Sequence, residues 1–311
     1  MHTSPIQIAD DDSPAGSPYP GKTMSQPETP SAIRGNGGLG GFALTDGETR
    51  ELIDLIYARS GIVLTPDKKN LISSRLHKRL KALELSSFGD YLHYLRRAPD
   101  RAAEIVAMID EITTNKTAFF REPHHFDFLV SEALPNLVTS EWSVVNFWSA
   151  GCSTGEEPYT LAMVLAEYFG TTRNFSILAT DLSTQALHTA RQAVYPNELG
   201  ETIPAALRHK YTLTGRGSQR GNFRIVPELR ERITFKQINF VDRLWDVPGQ
   251  MHVIFCRNVL IYFDRKTRAD VVSRFHRKMS DFGYIFIGHS ETLGDIDQNF
   301  DHVRPTIYTR R

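Results

Sequence analysis

The first residues that suggest chemistry lie in a strand, turn and helix pattern over residues 144–170. The turn contains Gly151 and Gly155, and glycines there let the backbone approach a ligand without a Cβ clash. Their spacing is not the GxGxxG of dinucleotide-binding turns, and Glu156 and Glu157 open the next helix. Two carboxylates at a helix start repel phosphate and attract a cation. We therefore expect a cationic ligand here; the alternative is that both glutamates only favour the helix dipole.

A second acid follows the next apolar run, in the segment ATDLS. Asp181 stands at the expected end of a strand, where a carboxylate can accept hydrogen bonds from ribose hydroxyls. Taken alone it could equally be a helix N-cap. Together with a site for a cation it suggests S-adenosylmethionine, which has a ribose, an ammonium and a sulfonium but no phosphate.

These residues need a sheet that brings strand ends together, and the second half of the chain predicts one. The expected strands are Val144–Ser149, Phe175–Thr180, Ile233–Ile238, His252–Cys256 and Tyr284–Gly288, and the expected helices are Glu156–Phe169, Thr184–Ala193 and Arg265–Ser280. Short apolar runs that alternate with helices are typical of a parallel, doubly wound α/β sheet, here in the order 3-2-1-4-5. Residues 208–227 interrupt the alternation and are predicted to be a β-hairpin, with strands Tyr211–Thr214 and Asn222–Val226 around a Gly-rich loop.

Upstream, residues 42–110 predict a small helical domain. Ile72, Leu76, Leu80 and Leu83 form one apolar stripe on a helix that should begin near Pro66, with further helices at Glu48–Arg59, Phe88–Leu95 and Ala102–Ile109. Residues 67–97 contain eight Lys and Arg against three acids, a local excess of +5. On a neighbouring face of the second helix lie the cations Lys68, Arg75, Lys78 and Arg79. Residues 1–41, with six prolines and seven glycines, predict a disordered leader.

Composition limits the function classes. The 311 residues have 36 Lys and Arg, 36 Asp and Glu, and a formal net charge of +0, which argues against a nucleic-acid-binding protein. Two cysteines cannot form a secreted disulfide framework, and the sequence contains neither a signal peptide nor an apolar run long enough for membrane insertion. We expect a cytoplasmic, monomeric protein of about two domains and no metal.

Five motifs occur in an order that resembles a known family: ITTNKTAFFREPHHF (112–126), WSAGCSTGEEPY (148–159), ATDLS (179–183), FCRNVLIYFD (255–264) and GHSE (288–291). Together they are similar to the chemotaxis receptor methyltransferase (CheR-type) family, over residues 42–311. The resemblance implies a Rossmann-like methyltransferase domain at 111–311, with a small β-subdomain inserted at about 208–227, after an all-α receptor-docking domain at 42–110. It implies transfer of a methyl group from S-adenosylmethionine to glutamate side chains of chemoreceptor cytoplasmic domains, to form methyl esters in sensory adaptation.

The resemblance also assigns residues. It implies cofactor contacts from Asn115, Thr117, Arg121, Glu157, Asp181, Asn239, Phe240, Arg257 and Asn258. Glu157, ranked ahead of Glu156, should meet the methionine ammonium and Asp181 the ribose. Phe240 replaces the leucine that the family has near the adenine. Arg121 and Tyr262 are the candidates for orienting the substrate carboxylate, which is ionised at neutral pH and needs no general base.

The resemblance also implies a docking surface for an acidic receptor helical bundle, formed by the cations Lys68, Arg75, Lys78 and Arg79. The alternative is that these four cations form a solvated helix face. The 208–227 hairpin could tether a receptor C-terminal tail by adding a strand to its edge. Two rivals are open: a methyltransferase for a nucleic acid or small molecule, and a scaffold that binds the cofactor without turnover.

Some residues favour structural roles. His124 and His125 lack the companions of a metal site and should pack, and His289 should make a structural hydrogen bond. Cys152 and Cys256 follow neighbouring strands and should be small buried residues, with a redox role as the alternative.

Overall fold

The structure is a computed structural model that describes residues 43–138, 144–170, 174–294 and 296–311. The expected leader at 1–41 lies outside these residues. The helices are α1 (Asp46–Ser60), α2 (Lys69–Ala82), α3 (Phe88–Arg97), α4 (Arg101–Ile112), α5 (Pro123–Phe128), α6 (Leu134–Val138), α7 (Glu156–Phe169), α8 (Thr184–Gln192), α9 (Ala205–Tyr211), α10 (Pro227–Arg230) and α11 (Arg265–Lys278). The strands are β1 (Val144–Ala150), β2 (Asn174–Asp181), β3 (Val194–Pro196), β4 (Thr212–Thr214), β5 (Asn222–Ile225), β6 (Ile233–Gln237), β7 (Met251–Cys256), β8 (Met279–Ile287), β9 (Phe300–Arg304) and β10 (Ile307–Arg310).

Helices α1–α4 pack around one apolar core, and the predicted stripe on α2 supplies its centre. Ile72, Leu76 and Leu80 are fully buried, while Leu83 is only partly buried beside them. Helix α1 begins with a capping box, in which the Thr45 side chain accepts from the Glu48 N–H and the Glu48 carboxylate accepts from the Thr45 N–H. These signals are local, and the four expected helices are all present.

The larger sheet has the strand order β6-β2-β1-β7-β8-β10-β9. The first five strands are parallel and follow the predicted 3-2-1-4-5 order, which confirms a doubly wound α/β fold. The antiparallel pair β10 and β9 completes the edge beyond β8 and is absent from the sequence interpretation. Strand β8 also begins at Met279, five residues before the predicted start, and it includes the bulged and exposed Phe282.

Neighbouring residues of β1 point to opposite faces of this sheet, and helices bury the apolar residues on both faces. Phe147 belongs to the core on the α7 side, and Trp148 belongs to the core on the α11 side. The Trp148 ring packs edge-on against Trp245 and Phe275. Within the part of the chain that the structure describes, every helix is too short or too polar to cross a membrane.

The predicted hairpin at 208–227 is present as the antiparallel pair β4 and β5, but its bounds and its surroundings need correction. Residues 205–211 form helix α9, so the first strand is only Thr212–Thr214, and the small sheet has three strands in the order β3-β5-β4. The added strand β3 directly follows the left-handed residue Ala193 and pairs antiparallel with β5, Tyr195 opposite Phe223. A three-residue strand is too short to produce a detectable alternation of apolar residues.

Candidate functional site

A cavity of about 500 Å³ opens beyond the carboxyl ends of β1, β2, β6 and β7. The helical domain lines its other side, through residues 60–75 and 112–114. All ten residues that the sequence resemblance assigns to cofactor or carboxylate lie in its lining: Asn115, Thr117, Arg121, Glu157, Asp181, Asn239, Phe240, Arg257, Asn258 and Tyr262. A volume of this size is that of a small-molecule site.

The turn after β1 is built for close approach. Gly151 has a φ of 93°, and a Cβ there would lie 2.3 Å from the Val259 side chain. Ser153 takes a left-handed conformation, with a φ of 49°, and its N–H donates to Asp181 Oδ2 at 2.8 Å. Asp181 Oδ1 accepts from the Ser183 N–H at 2.9 Å, and burial raises the pKa of the Asp181 carboxyl despite these donors. Asp181 therefore joins the two loops and borders the cavity.

Of the two glutamates that open α7, only Glu157 borders the cavity. Its Oε1 accepts from Ser149 Oγ at 2.6 Å and its Oε2 accepts from Arg257 Nε at 2.7 Å. Each carboxylate oxygen keeps a second lone pair for a ligand. Glu156 accepts from Thr154 Oγ1 at 2.7 Å, and burial raises the pKa of its carboxyl. The geometry thus distinguishes two adjacent acids that the sequence interpretation could only rank.

The guanidinium of Arg257, 2% exposed, organises the cavity floor. Besides Glu157 it donates to the Arg121 carbonyl at 2.5 Å and lies 3.7 Å from Glu122 Oε2. Burial works to raise the pKa of the Glu122 carboxyl, but the His289 hydrogen bond and the charge of Arg257 hold it below its usual value. Glu122, which has a φ of 56°, is a site residue that sequence reasoning missed, although it lies inside the first motif.

The histidines and cysteines have structural surroundings. His289 Nδ1 lies 3.1 Å from Glu122 Oε1, which is the expected structural hydrogen bond. His125 is buried, hydrogen-bonds Thr306 Oγ1 at 2.8 Å and lies against the His124 ring. Cys152 and Cys256 are free and buried, and burial raises the pKa of both thiols, which disfavours the reactive thiolate. Across the described residues, no group of three or more His, Cys, Asp or Glu side chains could hold a metal ion.

A second missed residue, Glu291, shapes the loop after β7. Its buried carboxylate accepts three backbone N–H groups, from Gly288 at 2.6 Å, Asn258 at 2.9 Å and Ile261 at 3.1 Å. Asn258 is thereby held at a φ of 59°, a conformation that non-glycine residues rarely adopt. The loop that carries Asn258 and Tyr262 into the cavity therefore depends on the final glutamate of GHSE.

The helical domain fixes two of the predicted site residues through its main chain. The Val63 N–H donates to the Tyr262 carbonyl at 2.8 Å, and Asn239 Nδ2 donates to the Arg59 carbonyl at 2.7 Å. Phe240 next to Asn239 is 6% exposed and packs edge-on against Trp148, so it forms an apolar wall continuous with the core. The site is thus shared between the domains.

The four cations predicted to dock a partner do not form one free face. Lys68 and Arg75 line the cavity, and Arg75 donates to Thr114 Oγ1 at 2.9 Å. Lys78 points outward, 77% exposed and 3.5 Å from Glu111. Arg79 instead makes a bidentate pair with the buried Glu104, at 3.0 and 2.6 Å. Arg79 thus supplies the counter-charge that the buried Glu104 demands, and its assignment to docking stays a prediction.

The lining fits S-adenosylmethionine. Asp181 at the end of β2 and Glu157 at the start of α7 supply acids, Phe240 is an apolar wall, and the two glutamates of α7 would repel a phosphate. Ser153 Oγ and Asn258 Oδ1, both on lining residues, are buried without a hydrogen-bond partner in the described structure. Such polar atoms indicate a site that a ligand completes.

A doubly wound sheet with a cleft whose lining fits S-adenosylmethionine is the arrangement expected of a Rossmann-like methyltransferase. Residues 115–309 match the family model described as "CheR methyltransferase, SAM binding domain", and residues 47–113 match "CheR methyltransferase, all-alpha domain". The chain is 39% identical to a chemotaxis protein methyltransferase of Borreliella burgdorferi, over 86% of this chain and 95% of that protein. It is 38% identical to chemotaxis protein methyltransferase 2 of Pseudomonas aeruginosa, over 90% and 98%, and 38% identical to the Escherichia coli protein, over 86% and 92%.

The chain therefore belongs to the CheR methyltransferase family. It is an S-adenosylmethionine-dependent methyltransferase of chemotaxis, and S-adenosylmethionine is its cofactor.

Proposed function

We propose that the protein esterifies glutamate side chains of chemoreceptor cytoplasmic domains. The observation that supports this most strongly is the charge of the cavity lining. The two acids are Asp181 at the end of β2 and Glu157, paired with Arg257, in the first turn of α7, whereas four further cations, Lys68, Arg75, Lys116 and Arg121, come from the helical domain and the segment after it. An anionic acceptor such as a carboxylate matches the cations, and a cationic cofactor matches the acids.

When bound, S-adenosylmethionine supplies an electrophilic methyl group on a sulfonium. The protein's task is positioning, because a glutamate with a pKa of about 4.3 is already a carboxylate at neutral pH. Arg121 donates to the Lys116 carbonyl at 3.0 Å through one of its five N–H groups, so its planar fork can still hold a carboxylate. Tyr262 stands in the same lining on a loop that Glu291 and Val63 fix.

The remaining lining residues would hold the cofactor. Glu157 would accept from the ammonium, Asp181 from the ribose hydroxyls, and Asn239 and Phe240 would border the base. Arg257 orients Glu157 at 2.7 Å and keeps part of its charge neutralised, so it acts as a positioning residue. Asn115, Thr117 and Asn258 supply polar atoms along the same wall.

Receptor docking would use chiefly Lys68 and Lys78, whose acidic partners Asp67 and Glu111 are not buried, together with Arg75 in the cavity lining. Exposed charges steer an acidic partner over a Debye length of about 8 Å at physiological salt. We expect methylation at low receptor concentration to slow as salt rises, because the association rate falls. Arg79 is left out of this surface.

The small sheet supports a further contact in the same function. Strand β4 pairs with β5 on one side and, among the described strands, has none on the other. A receptor C-terminal tail could add a strand at this edge. Calorimetric titration with a peptide of the receptor's last residues tests this, and absence of binding would refute it. We also propose a monomer, which light scattering checks.

The central experiment is transfer of labelled methyl from S-adenosylmethionine to membranes that contain a chemoreceptor. The product should be labile to base, as an ester is, and should disappear when the receptor's target glutamates become alanine. Base-stable label, or label on nucleic acid, would refute the proposal. Binding of S-adenosylhomocysteine without transfer to any receptor would favour a scaffold.

A matched pair of variants tests the assigned arginine. Arg121→Ala should lose most of the transfer activity while the fold is retained. Arg304→Ala removes an exposed arginine whose carboxylate partner is Glu132 at 3.3 Å, and it should behave as wild type. Equal activity of the two variants would refute the proposed role of Arg121 in orienting the substrate carboxylate.

A further inference from the structure

Two aliphatic side chains stand exposed at the mouth of the cavity. Val63 is 44% exposed and Ile261 is 45% exposed, and both belong to the cavity lining. Their segments touch, because the Val63 N–H donates to the carbonyl of Tyr262, the residue after Ile261. The two side chains thus come from different domains, on segments joined beside the residue proposed to orient the acceptor. We call them the apolar ledge.

The ledge is held rigidly. The Ile261 N–H donates to Glu291 Oε1 at 3.1 Å, and the Val63 N–H is fixed on Tyr262 at 2.8 Å. Neither side chain can therefore retreat into the core by a simple shift of its backbone. A partner that covers this fixed aliphatic surface removes it from water, which favours binding.

The charged residues around the apolar ledge indicate which kind of partner binds there. Lys68 and Arg75 of the helical domain and Lys116 and Arg121 of the following segment line the same cavity. A free dicarboxylic acid would satisfy these cations but would leave the ledge exposed. A nucleic-acid strand would bring phosphates without an aliphatic side chain. A polypeptide segment with an acidic residue and a nearby apolar residue satisfies both surfaces.

We infer that Val63 and Ile261 are specificity-determining residues that contact an apolar side chain close in sequence to the glutamate being methylated. The inference rests on the proposed function and deepens it. The cations recognise that the acceptor is an acid, and the ledge selects which acids on the acceptor surface enter the cavity.

The test uses the full-length protein and a purified receptor cytoplasmic domain that the wild-type enzyme methylates. Val63→Ser, Ile261→Ser and the double variant keep both backbone hydrogen bonds but remove the aliphatic surface. The matched control is Val106→Ser, since Val106 on α4 is 40% exposed and lies outside the cavity lining. We measure KM and kcat for the acceptor, and Kd for S-adenosylhomocysteine by calorimetry.

We assume that the acceptor covers about half of each aliphatic side chain and that the serine variants lose this contact. Each single variant should then raise the acceptor KM about fivefold, and the double variant about twentyfold. Val106→Ser should leave KM unchanged, and Kd for S-adenosylhomocysteine should stay constant throughout. A double variant with KM within about twofold of wild type would overturn the inference.

A second arm varies the acceptor. Aspartate in place of the apolar residues near the target glutamate should slow the wild type much more than the double variant, because only the wild type has a ledge to lose. Equal slowing would contradict the inference. Failure of the proposed function is distinguishable, since the wild type would then form no base-labile product on the receptor.

Discussion

Replacing Glu291 by glutamine tests how the loop after β7, which carries Asn258 and Tyr262, is held. The substitution keeps the shape of the side chain but turns one oxygen into an N–H donor. Oε2 accepts from both Gly288 at 2.6 Å and Asn258 at 2.9 Å, so the remaining oxygen should keep that position. The new amide group then faces the Ile261 N–H, which loses its acceptor at 3.1 Å and meets another donor.

The cost follows from that single lost acceptor. A buried N–H left without a partner destabilises by about 1–3 kcal/mol. For a domain of this size that lowers Tm by roughly 2–12 °C, at about 2–4 °C per kcal/mol. Ile261 neighbours Tyr262, and displacement of a positioning group by about 1 Å can reduce turnover about a hundredfold. We therefore expect kcat/KM to fall ten- to a hundredfold, more than the loss of stability explains.

The assays are thermal unfolding and receptor methylation at a temperature where both proteins are folded. Glu132→Gln is the matched control, because its carboxylate is half-exposed and pairs with Arg304 at the surface. Cofactor affinity, measured with S-adenosylhomocysteine, should fall less than kcat. A Glu291→Gln protein with normal kcat/KM and normal Tm would refute the role of this carboxylate in holding the loop.

Two further predictions concern stability. Arg79→Met should lower the free energy of unfolding by about 3 kcal/mol, because Glu104 stays buried without its charge partner. Lys78→Met, the control, should change the free energy of unfolding by less than about 0.5 kcal/mol. Equal denaturation curves for the two variants would contradict this prediction. Burial and the nearby Arg257 lower the pKa of His125 to about 3, so its neutral form stabilises the fold above about pH 6.5, and that contribution is lost as pH falls towards 3. Wild type should lose about 1 kcal/mol more than His125→Gln between about pH 7 and 5.5, and parallel pH profiles would count against the buried neutral histidine.

Much of the fold was readable because its signals are local or periodic. The stripe on α2 and the alternation of apolar runs with helices predicted the helical domain and the central sheet order. The sequence interpretation failed where pairing is non-local or short. Strand β3 has three residues, and β9 and β10 depend on pairing with β8 rather than on their own pattern. The first hairpin strand starts one residue later than predicted because Tyr211 ends helix α9, which begins at Ala205.

The candidate site likewise has residues that the sequence predicted and residues that it did not. Motif residues predicted from resemblance all border one cavity, since the carboxyl ends of parallel strands meet at one edge. Glu122 and Glu291 were missed although both stand inside quoted motifs, because a sequence does not show which backbone N–H groups a carboxylate will accept. The pairing of Arg79 was missed for the converse reason: helical spacing gives the face of a cation, but its partner Glu104 lies on another helix.

The contact between the domains bears on how such an enzyme can change over evolution. Where the helical domain meets the catalytic loops it uses the Arg59 carbonyl and the Val63 N–H, atoms that every substitution except proline preserves. These two contacts therefore do not constrain the side chains of Arg59 and Val63, whereas the Tyr57 hydroxyl, which donates to Asp264 at 2.5 Å across the same junction, does depend on its side chain. A lineage could acquire a new set of receptors by altering outward residues of α1 and α2 while inheriting an unchanged reaction centre.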